Sequence, residues 1–171
     1  VTDMYVRDRL WYVPDDNRAK SESANPNVVA ISVTGPSLPE ILGRYEQLAG
    51  ALGADLTAEP VVTAKAEFEA AAQTVREAAA QRRGLRVLAA SAAPTVFYAV
   101  DPRESADLSY FADLGVELIV PTAVDAGGYF QSLSWESADT YPADLILLDS
   151  RTSALQPDAL ADNVVWRSLP A

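Results

Sequence analysis

The residues best suited to bind a ligand are aromatic side chains and an arginine that fall near the ends of predicted strands. Tyr98 lies near the end of a strand predicted over 95–100, and Arg151 follows one predicted over 145–148. Ligands of layered α/β sheets bind beyond the carboxyl ends of strands. Ring stacking combined with charge-assisted hydrogen bonds from arginine suits a bulky, partly planar anionic ligand. The full set is Tyr98, Tyr129, Phe130, Trp135 and Arg151.

Structural roles are the alternative for these residues. Aromatic side chains often belong to the core, and an arginine after a strand is often a solvated loop residue. Asp144 and Asp149 flank the strand predicted over 145–148, and two carboxylates can act as general acid and base. Carboxylates beside a strand more often form a soluble edge, so we interpret this pair as structural.

Several kinds of active site are excluded by residues that the chain lacks. Its 171 residues include no Cys and no His. This excludes disulfides, thiolate nucleophiles, Cys-type zinc sites and the Ser-His-Asp arrangement, and removes the commonest ligand of transition metals. No G-x-G-x-x-G follows a predicted strand, and neither a G-x-x-x-x-G-K-[ST] loop nor a G-x-S-x-G elbow occurs. The composition leaves open a metal site made only of carboxylates.

Composition predicts a globular protein that does not bind nucleic acid. Hydrophobic residues make up 49% of the chain and charged residues 22%, which is typical of a folded domain. The 13 Lys and Arg against 24 Asp and Glu leave a net charge of −11, which opposes phosphate binding. No apolar run approaches the ~20 residues that cross a bilayer. No signal peptide is visible in the sequence. Because it starts at Val1 without an initiator Met, we expect a processed or shortened chain from which a signal segment is missing.

Alternating strands and helices must position the candidate residues. A capping box of Ser37 and Glu40 begins a helix predicted over 37–53, and Gly53 ends it. A second helix is predicted over 63–83. From residue 85 onward, strands and helices alternate, which is typical of parallel strands joined by crossover helices in an α/β domain. Strands are predicted over 28–33, 85–91, 95–100, 116–120, 145–148 and 164–166, and the strand over 145–148 is expected to be the best buried of them. A loop is predicted at Gly127-Gly128 and Tyr129-Phe130, and shorter helices begin near Asp101, Ser134 and Pro157.

A series of short segments carries a family resemblance. They are NPNVVAISVTGPSLPEILGRYEQLAGALGA, then TVFYAV, YFADLG, Ser134-Trp135-Glu136 and PADLILLD. In order and spacing they resemble the substrate-binding proteins of ABC importers of the iron-siderophore and cobalamin class. The first segment resembles the point where the first lobe of these proteins leads into the second. The others resemble an aromatic-bearing segment, a helix that ends in Leu-Gly, a Ser-x-Glu helix start and an "ADLIL"-type strand.

The resemblance implies half of a class III two-lobe binding protein. Residues 1–36 would be the end of the first lobe and a linker, and 37–53 would be a long spine helix. Residues 54–171 would be the C-terminal ligand-binding lobe, truncated at its C-terminal end. This lobe is expected to be α/β and Rossmann-like, with three layers and a sheet rich in parallel pairs. Most of the first lobe would precede Val1.

The resemblance also implies roles for particular residues. The ligand-binding residues would be Tyr98, Arg103, Tyr129, Trp135 and Arg151, and Glu136 would dock on a permease. Arg103 has an alternative as a plain surface residue, and an acid such as Glu136 is favoured in the first turn of any helix. The family's relatives that bind bare metal ions use His, which this chain lacks, so the expected ligand is a ferric siderophore chelate, with no cofactor bound directly.

The expected function is that of an extracytoplasmic solute-binding component of an ABC importer, periplasmic or anchored to the cell surface as a lipoprotein, and not an enzyme. A haem- or corrinoid-binding relative is one alternative. A small-molecule α/β enzyme domain that uses carboxylates is another. The enzyme interpretation predicts a closed pocket that contains at least one Asp or Glu with a strongly shifted pKa.

Overall fold

The structure is a computed structural model that describes residues 5–6, 9–10, 31, 33 and 35–171. The chain divides into two compact units, 1–66 and 67–171. The helices are α1 (Leu38–Ala51), α2 (Glu59–Gln81), α3 (Ala106–Asp113), α4 (Pro157–Leu160) and α5 (Val164–Ser168), with 3-10 helices at Pro102–Glu104 and Trp135–Thr140. The strands are β1 (Tyr5–Val6), β2 (Arg9–Leu10), β3 (Arg86–Ala92), β4 (Val96–Val100), β5 (Glu117–Leu118), β6 (Phe130–Ser134) and β7 (Leu145–Leu148).

The first unit contains the predicted helix with its predicted cap. The Ser37 side chain accepts from the Glu40 amide, and the Glu40 carboxylate accepts from the Ser37 amide at 2.8 Å. This capping box satisfies two amides that the first turn of a helix leaves without partners. After α1, Gly53 takes a φ of +87°, the left-handed conformation that glycine adopts without strain. The helix prediction over 37–53 is therefore confirmed.

The strand predicted over 28–33 lies outside the described residues except at Ile31 and Val33. Neither of these two is in a strand, and Ile31 is buried. Strands β1 and β2 form an antiparallel pair in this unit.

Helix α2 begins four residues earlier than predicted. Pro60 falls in its first turn, where the missing amide costs nothing. Along the part of α2 in the second unit, Ala72 is buried and Phe68 stacks on Tyr110 of α3 at 5.6 Å between ring centroids. Contacts of this kind hold α2 by one apolar stripe, while most of its other residues are exposed.

The second unit is built around a five-stranded mixed sheet. Strand β3 pairs in parallel with β5 and β7 and antiparallel with β4, and β4 pairs antiparallel with β6. The predicted α/β class is confirmed, with two parallel and two antiparallel strand pairs. The antiparallel β3–β4 pair arises because only Ala93, Pro94 and Thr95 join these strands, which is too short for a crossover. The Ala93 amide donates to the Val96 carbonyl at 2.8 Å and closes this hairpin.

The core of this unit lies on one face of β3 and β4. Leu88, Ala90 and Ala92 of β3 pack there with Phe97 and Ala99 of β4. Leu133 of β6 and Leu160 of α4 also belong to the buried cluster, as do Ala138 and Ala143. The central strand is thus covered by side chains from the neighbouring strands and from the helix after β7.

Two sequence predictions in this unit were wrong, the strand over 164–166 and the burial of the strand over 145–148. One strand, β6, was missed. Residues 164–166 form helix α5 and not a strand, because the Asn163 side chain accepts from two amides of the first turn. The strand over 145–148 was expected to be the best buried one, but β7 pairs only with β3 among the described strands, and Leu145 is exposed. Residues 130–134 form strand β6, where a loop and the start of a helix were predicted.

No helix within the described part of the chain has the length and apolarity needed to cross a membrane.

Candidate functional site

A row of polar side chains crosses the face of the sheet opposite the core. Ser91 of β3 pairs with Tyr98 of β4, and Tyr98 pairs with Ser132 of β6. On the other edge, Ala90 pairs with Leu148, so Asp149 continues β7 opposite Ser91. The Ser91 hydroxyl donates to Asp149 Oδ2 at 3.0 Å. Because side chains alternate between faces, this register places all four side chains on one face.

A cavity of about 240 Å³ opens over this row. It lies where β3 and β7 end and β4 begins, within the second unit. Carboxyl ends of parallel strands are where α/β sheets bind ligands. The cavity is lined by Ser91, Ala92, Ala93, Tyr98, Phe130, Asp149, Arg151, Ser153 and Ala154.

Asp149 and Arg151 form a charged pair at the rim of the cavity. Arg151 Nε donates to both carboxylate oxygens at 3.0 and 2.9 Å, and Nη2 donates to Oδ2 at 2.6 Å. The Arg151 amide also donates to Oδ1 at 2.9 Å. These hydrogen bonds from Arg151 lower the pKa of Asp149 from 3.8 to about 2, against the opposing effect of burial. The Asp149 side chain is 15% exposed and the Arg151 side chain 71%.

Asp101 and Arg103 form a second pair with the same geometry. Arg103 Nη2 donates to Asp101 Oδ2 at 2.6 Å, and the Arg103 amide donates to Oδ1 at 3.0 Å. Hydrogen bonding to Arg103 lowers the pKa of Asp101 as well. Since β4 runs antiparallel to β3, its end points toward the start of β3. Arg103 and Arg151 therefore lie toward opposite ends of β3.

The aromatic residues divide between the cavity and the core. The Tyr98 ring contacts the Phe130 ring at 5.7 Å between centroids, and Tyr129 contacts Phe130 at 6.2 Å. The Tyr129 hydroxyl is buried and has no hydrogen-bond partner among the described residues. Trp135 packs on Phe97 of the core at 5.5 Å. Its Nε1 donates to the carbonyl of Ala93, at 3.1 Å, so it supports the cavity wall from behind.

The structure thus brings some of the predicted site residues together and separates others. Tyr98 and Arg151 line one cavity. Tyr129 does not line it, but its ring contacts Phe130, which does. Trp135 lies against the core, and Arg103 lies toward the other end of the sheet. Glu136 is exposed in the first turn of the 3-10 helix Trp135–Thr140.

Sequence reasoning missed several residues of the cavity. Asp149 was interpreted as structural together with Asp144, but Asp149 lines the cavity. The Asp144 carboxylate, at the other end of β7, accepts from the Arg86 amide at 2.8 Å. The signal for the role of Asp149 was the repeated spacing Asp-Pro-Arg and Asp-Ser-Arg directly after predicted strands. Ser91 and Ser153 carry no local signal, because only strand pairing and the loop after β7 bring them to the cavity. Within the described part of the chain, no three carboxylates are grouped so that they could hold a metal ion.

Comparison with solved structures identifies the fold. The chain is similar to DesE, a ferric-siderophore receptor protein from Streptomyces coelicolor, at 42% sequence identity over 99% of this chain and with a TM-score of 0.88. The chain shares its fold with ferric-siderophore binding proteins. The resemblance predicted from the sequence is therefore confirmed, and the chain spans 58% of the length of DesE. No protein-family model and no curated protein matches it.

More distant structures share the same fold. One is a FhuD fold-family periplasmic binding protein component of a Fep/Fec-like ferrichrome ABC transporter from Bacillus subtilis, at 16% identity, with a TM-score of 0.59 over 90% of this chain and 57% of that one. Another is the siderophore periplasmic binding protein from the fuscachelin gene cluster of Thermobifida fusca, at 18% identity, with a TM-score of 0.59 over 92% of this chain and 58% of that one. At these identities the likeness concerns the fold alone.

Proposed function

We propose that this chain is part of the extracytoplasmic solute-binding component of an ABC importer, which captures a ferric siderophore chelate and delivers it to a membrane permease. The observation that carries this proposal is the likeness to DesE over nearly the whole chain at 42% identity. The proposal includes 1–36 as the end of a first lobe, 37–53 as a spine helix and 54–171 as a ligand-binding lobe.

The cavity over the polar row is the proposed ligand surface of this lobe. Its volume of about 240 Å³ is below the ~300–1,000 Å³ of sites that enclose a drug-sized molecule. It therefore takes one arm or one edge of a larger chelate. Tyr98 and Phe130 offer ring surfaces to that edge, and Arg151 offers a guanidinium already held in place by Asp149. Tyr129 and Trp135 are proposed to support this surface, since Tyr129 contacts Phe130 and Trp135 donates to the Ala93 carbonyl. Arg103 does not line this cavity and lies toward the other end of β3, so its proposed contact with the ligand would be made outside the cavity.

The rival enzyme reading has less support. It requires a strongly perturbed carboxylate that can take or give a proton near neutral pH. The perturbed carboxylate in the cavity is Asp149, and its pKa is lowered to about 2 by Arg151. Such a carboxylate stays ionised and paired with Arg151 near neutral pH. It therefore suits the positioning of Arg151 better than the role of general acid or base. The cavity residues thus favour binding over catalysis.

Glu136 is the proposed permease contact of this lobe. Its side chain is exposed, and it lies one residue after the Trp135 anchor, so the backbone that carries it is held to the core. An exposed carboxylate on a fixed backbone suits recognition by arginines of a partner. Asp139 is also exposed on the same 3-10 helix and provides a matched comparison.

Ligand titration of the full-length protein tests the proposed function. Ferric siderophores, haem and cobalamin are added separately while tryptophan fluorescence and heat of binding are recorded. We expect saturable quenching by at least one ferric siderophore and a weaker response to its iron-free form. Saturable binding of haem or cobalamin alone would favour the alternative ligand classes, and no response to any of them would contradict the transport function.

A further inference from the structure

The carbonyl of Ala93 joins the wall of the cavity to the 3-10 helix Trp135–Thr140. Ala93 lines the cavity and is the first residue of the turn between β3 and β4. Its carbonyl accepts from Trp135 Nε1 at 3.1 Å and from the Val96 amide at 3.4 Å. The shorter of these two hydrogen bonds therefore connects the hairpin to the helix.

The ring of Trp135 is also held against the core. Strand pairing places Ser134 opposite Val96, so Trp135 follows directly beside the turn. Its ring packs on Phe97, which is completely buried, at 5.5 Å between ring centroids. Because a tryptophan side chain has only two rotatable bonds, a shift of the Ala93 carbonyl is passed to the backbone that carries the ring.

The backbone between Trp135 and Ala138 carries Glu136. Ala138 is buried in the core cluster, so this part of the 3-10 helix is anchored by a side chain at each end. Glu136 is exposed, and its carboxylate makes no hydrogen bond or ion pair within the described part of the chain. The position of Glu136 therefore depends on the backbone that begins at Trp135.

We infer that Trp135 couples the cavity to Glu136, so that the permease binds the loaded protein more tightly than the empty one. A ligand in the cavity contacts Ala93 and orders the turn, whose residues Pro94 and Thr95 are exposed. The hydrogen bond to Trp135 extends this order to the start of the 3-10 helix. A surface that is already ordered loses less conformational entropy when a partner binds. This inference rests on the proposed function and adds a positioning residue to it.

The test compares the affinity of the importer, held in lipid nanodiscs, for the loaded and the empty full-length protein. The loading probe is whichever of ferrichrome, ferrioxamine B, ferric citrate and ferric enterobactin binds most tightly. Trp135→Phe keeps an aromatic ring on Phe97 and removes the donor to Ala93. Trp166→Phe is the matched control, because Trp166 also packs against the core cluster while its indole nitrogen makes no hydrogen bond among the described residues.

We expect the importer to bind the loaded wild type on the order of fivefold more tightly than the empty form. Trp135→Phe should bring this ratio to less than twofold, while its dissociation constant for the probe, measured by calorimetry without the importer, changes less than threefold. Trp166→Phe should keep the wild-type ratio. Thermal unfolding shows whether each variant is folded. In the wild type, loading should also slow amide hydrogen exchange at residues 135–140.

Each other outcome argues against the inference. Equal or weaker binding of the loaded wild type by the importer overturns it, and saturable binding of the probe then leaves the proposed function intact. An equal loss of the ratio in both variants overturns it as well, because the effect would then come from core packing in general. If Trp135→Phe does not fold, the wild-type exchange decides, and unchanged exchange at 135–140 on loading overturns the inference. Failure of all four probes to bind, or of the importer to bind either form, overturns the inference together with the proposed function.

Discussion

Asp149 and Arg151 are joined by the same hydrogen bonds that join Asp101 to Arg103. In both pairs the arginine amide and the arginine Nε donate to Oδ1, and Nη2 donates to Oδ2 at 2.6 Å. Both pairs follow a strand directly, and in both the two residues are separated by one position. The local chain therefore forms each pair, and the surrounding sheet decides what each pair faces. The pair at 149–151 faces the cavity.

The first prediction concerns the pH dependence of stability. The folded pKa of Asp149 is about 2, below its ordinary value of 3.8, so its ion pair stabilises the fold above pH 4 and this contribution is lost as the pH falls toward 2. Because the partner guanidinium is 71% exposed, we expect Asp149→Asn to lower the free energy of unfolding by only about 1 kcal/mol at pH 7. Denaturant titrations at several pH values measure this difference.

The matched control for that experiment is Asp162→Asn. Asp162 is exposed and makes no ion pair in the described part of the chain. Its substitution should leave the free energy of unfolding within ~0.5 kcal/mol. A difference between wild type and Asp149→Asn that stays constant from pH 7 to pH 3 would show that the charge of Asp149 does not stabilise the fold.

The second prediction concerns the ring of Tyr98. Tyr98→Ala removes one aromatic wall of the cavity and its contact with Phe130, so the affinity for the ferric chelate should fall roughly tenfold. Tyr98→Phe should retain most of the affinity. Tyr110→Ala is the control, because Tyr110 stacks on Phe68 away from the cavity lining. Calorimetric titration gives the dissociation constants, and equal losses in the Tyr98→Ala and Tyr110→Ala variants would argue for a general loss of structure.

The third prediction separates docking from ligand capture. Glu136→Ala should reduce importer-dependent uptake of the ferric chelate several-fold without changing the dissociation constant of the isolated protein. Asp139→Ala on the same 3-10 helix should leave uptake near the wild-type level. Uptake of a radiolabelled chelate by cells that express the importer provides the measurement. Unchanged uptake with Glu136→Ala would exclude this residue from the docking surface.

The fourth prediction concerns the core beneath the cavity. Phe97 is completely buried between the sheet and Trp135, so Phe97→Ala should lower the free energy of unfolding by about 3–5 kcal/mol. Val164→Ala removes a side chain that is 70% exposed and should change it by less than ~0.5 kcal/mol. Urea titration followed by circular dichroism compares the two variants. A small effect at Phe97 would contradict the described packing.

The fifth prediction concerns the start of α1. Ser37→Ala removes the hydroxyl that accepts from the Glu40 amide, and N-cap losses of this kind cost about 1 kcal/mol. Ser134 also precedes a helical segment, but its side chain makes no capping bond, so Ser134→Ala should cost much less. Urea titration measures both variants. Equal effects of the two substitutions would show that the Ser37 cap adds nothing specific.

Local patterns predicted the helices well because their signals lie within a few residues of each other. The capping box at Ser37 and the glycine at 53 are of this kind. The strand predicted over 164–166 is a helix, because the side chain of Asn163 accepts from two amides of the first turn. Strand β6 was missed because Gly127 and Gly128 indicate a loop and Ser134 a helix start, while its existence depends on pairing with β4.

The cavity was predictable only in part. Strand-end position selected Tyr98 and Arg151, and these two do line the same cavity. The short connection between the strands predicted over 85–91 and 95–100 is a sign of antiparallel pairing that the parallel α/β interpretation did not use. This strand direction separates Arg103 from Arg151. Trp135 was selected by its place beside the site, but the ring contacts Phe97 of the core. The face of the sheet on which a side chain lies depends on the register of strand pairing. It does not depend on how close the residue is to the end of its strand.

That register has a consequence for sequence change in β3. Ser91 meets Asp149 and Tyr98 only because no residue is gained or lost between the start of the strand and position 91. Insertion of a single residue after Val87 would place the Ser91 hydroxyl on the face of the hydrophobic core. It would place the methyl group of a neighbouring alanine on the face of the cavity. Variants of this protein should therefore tolerate exchanges of side chains along this strand far better than changes of its length.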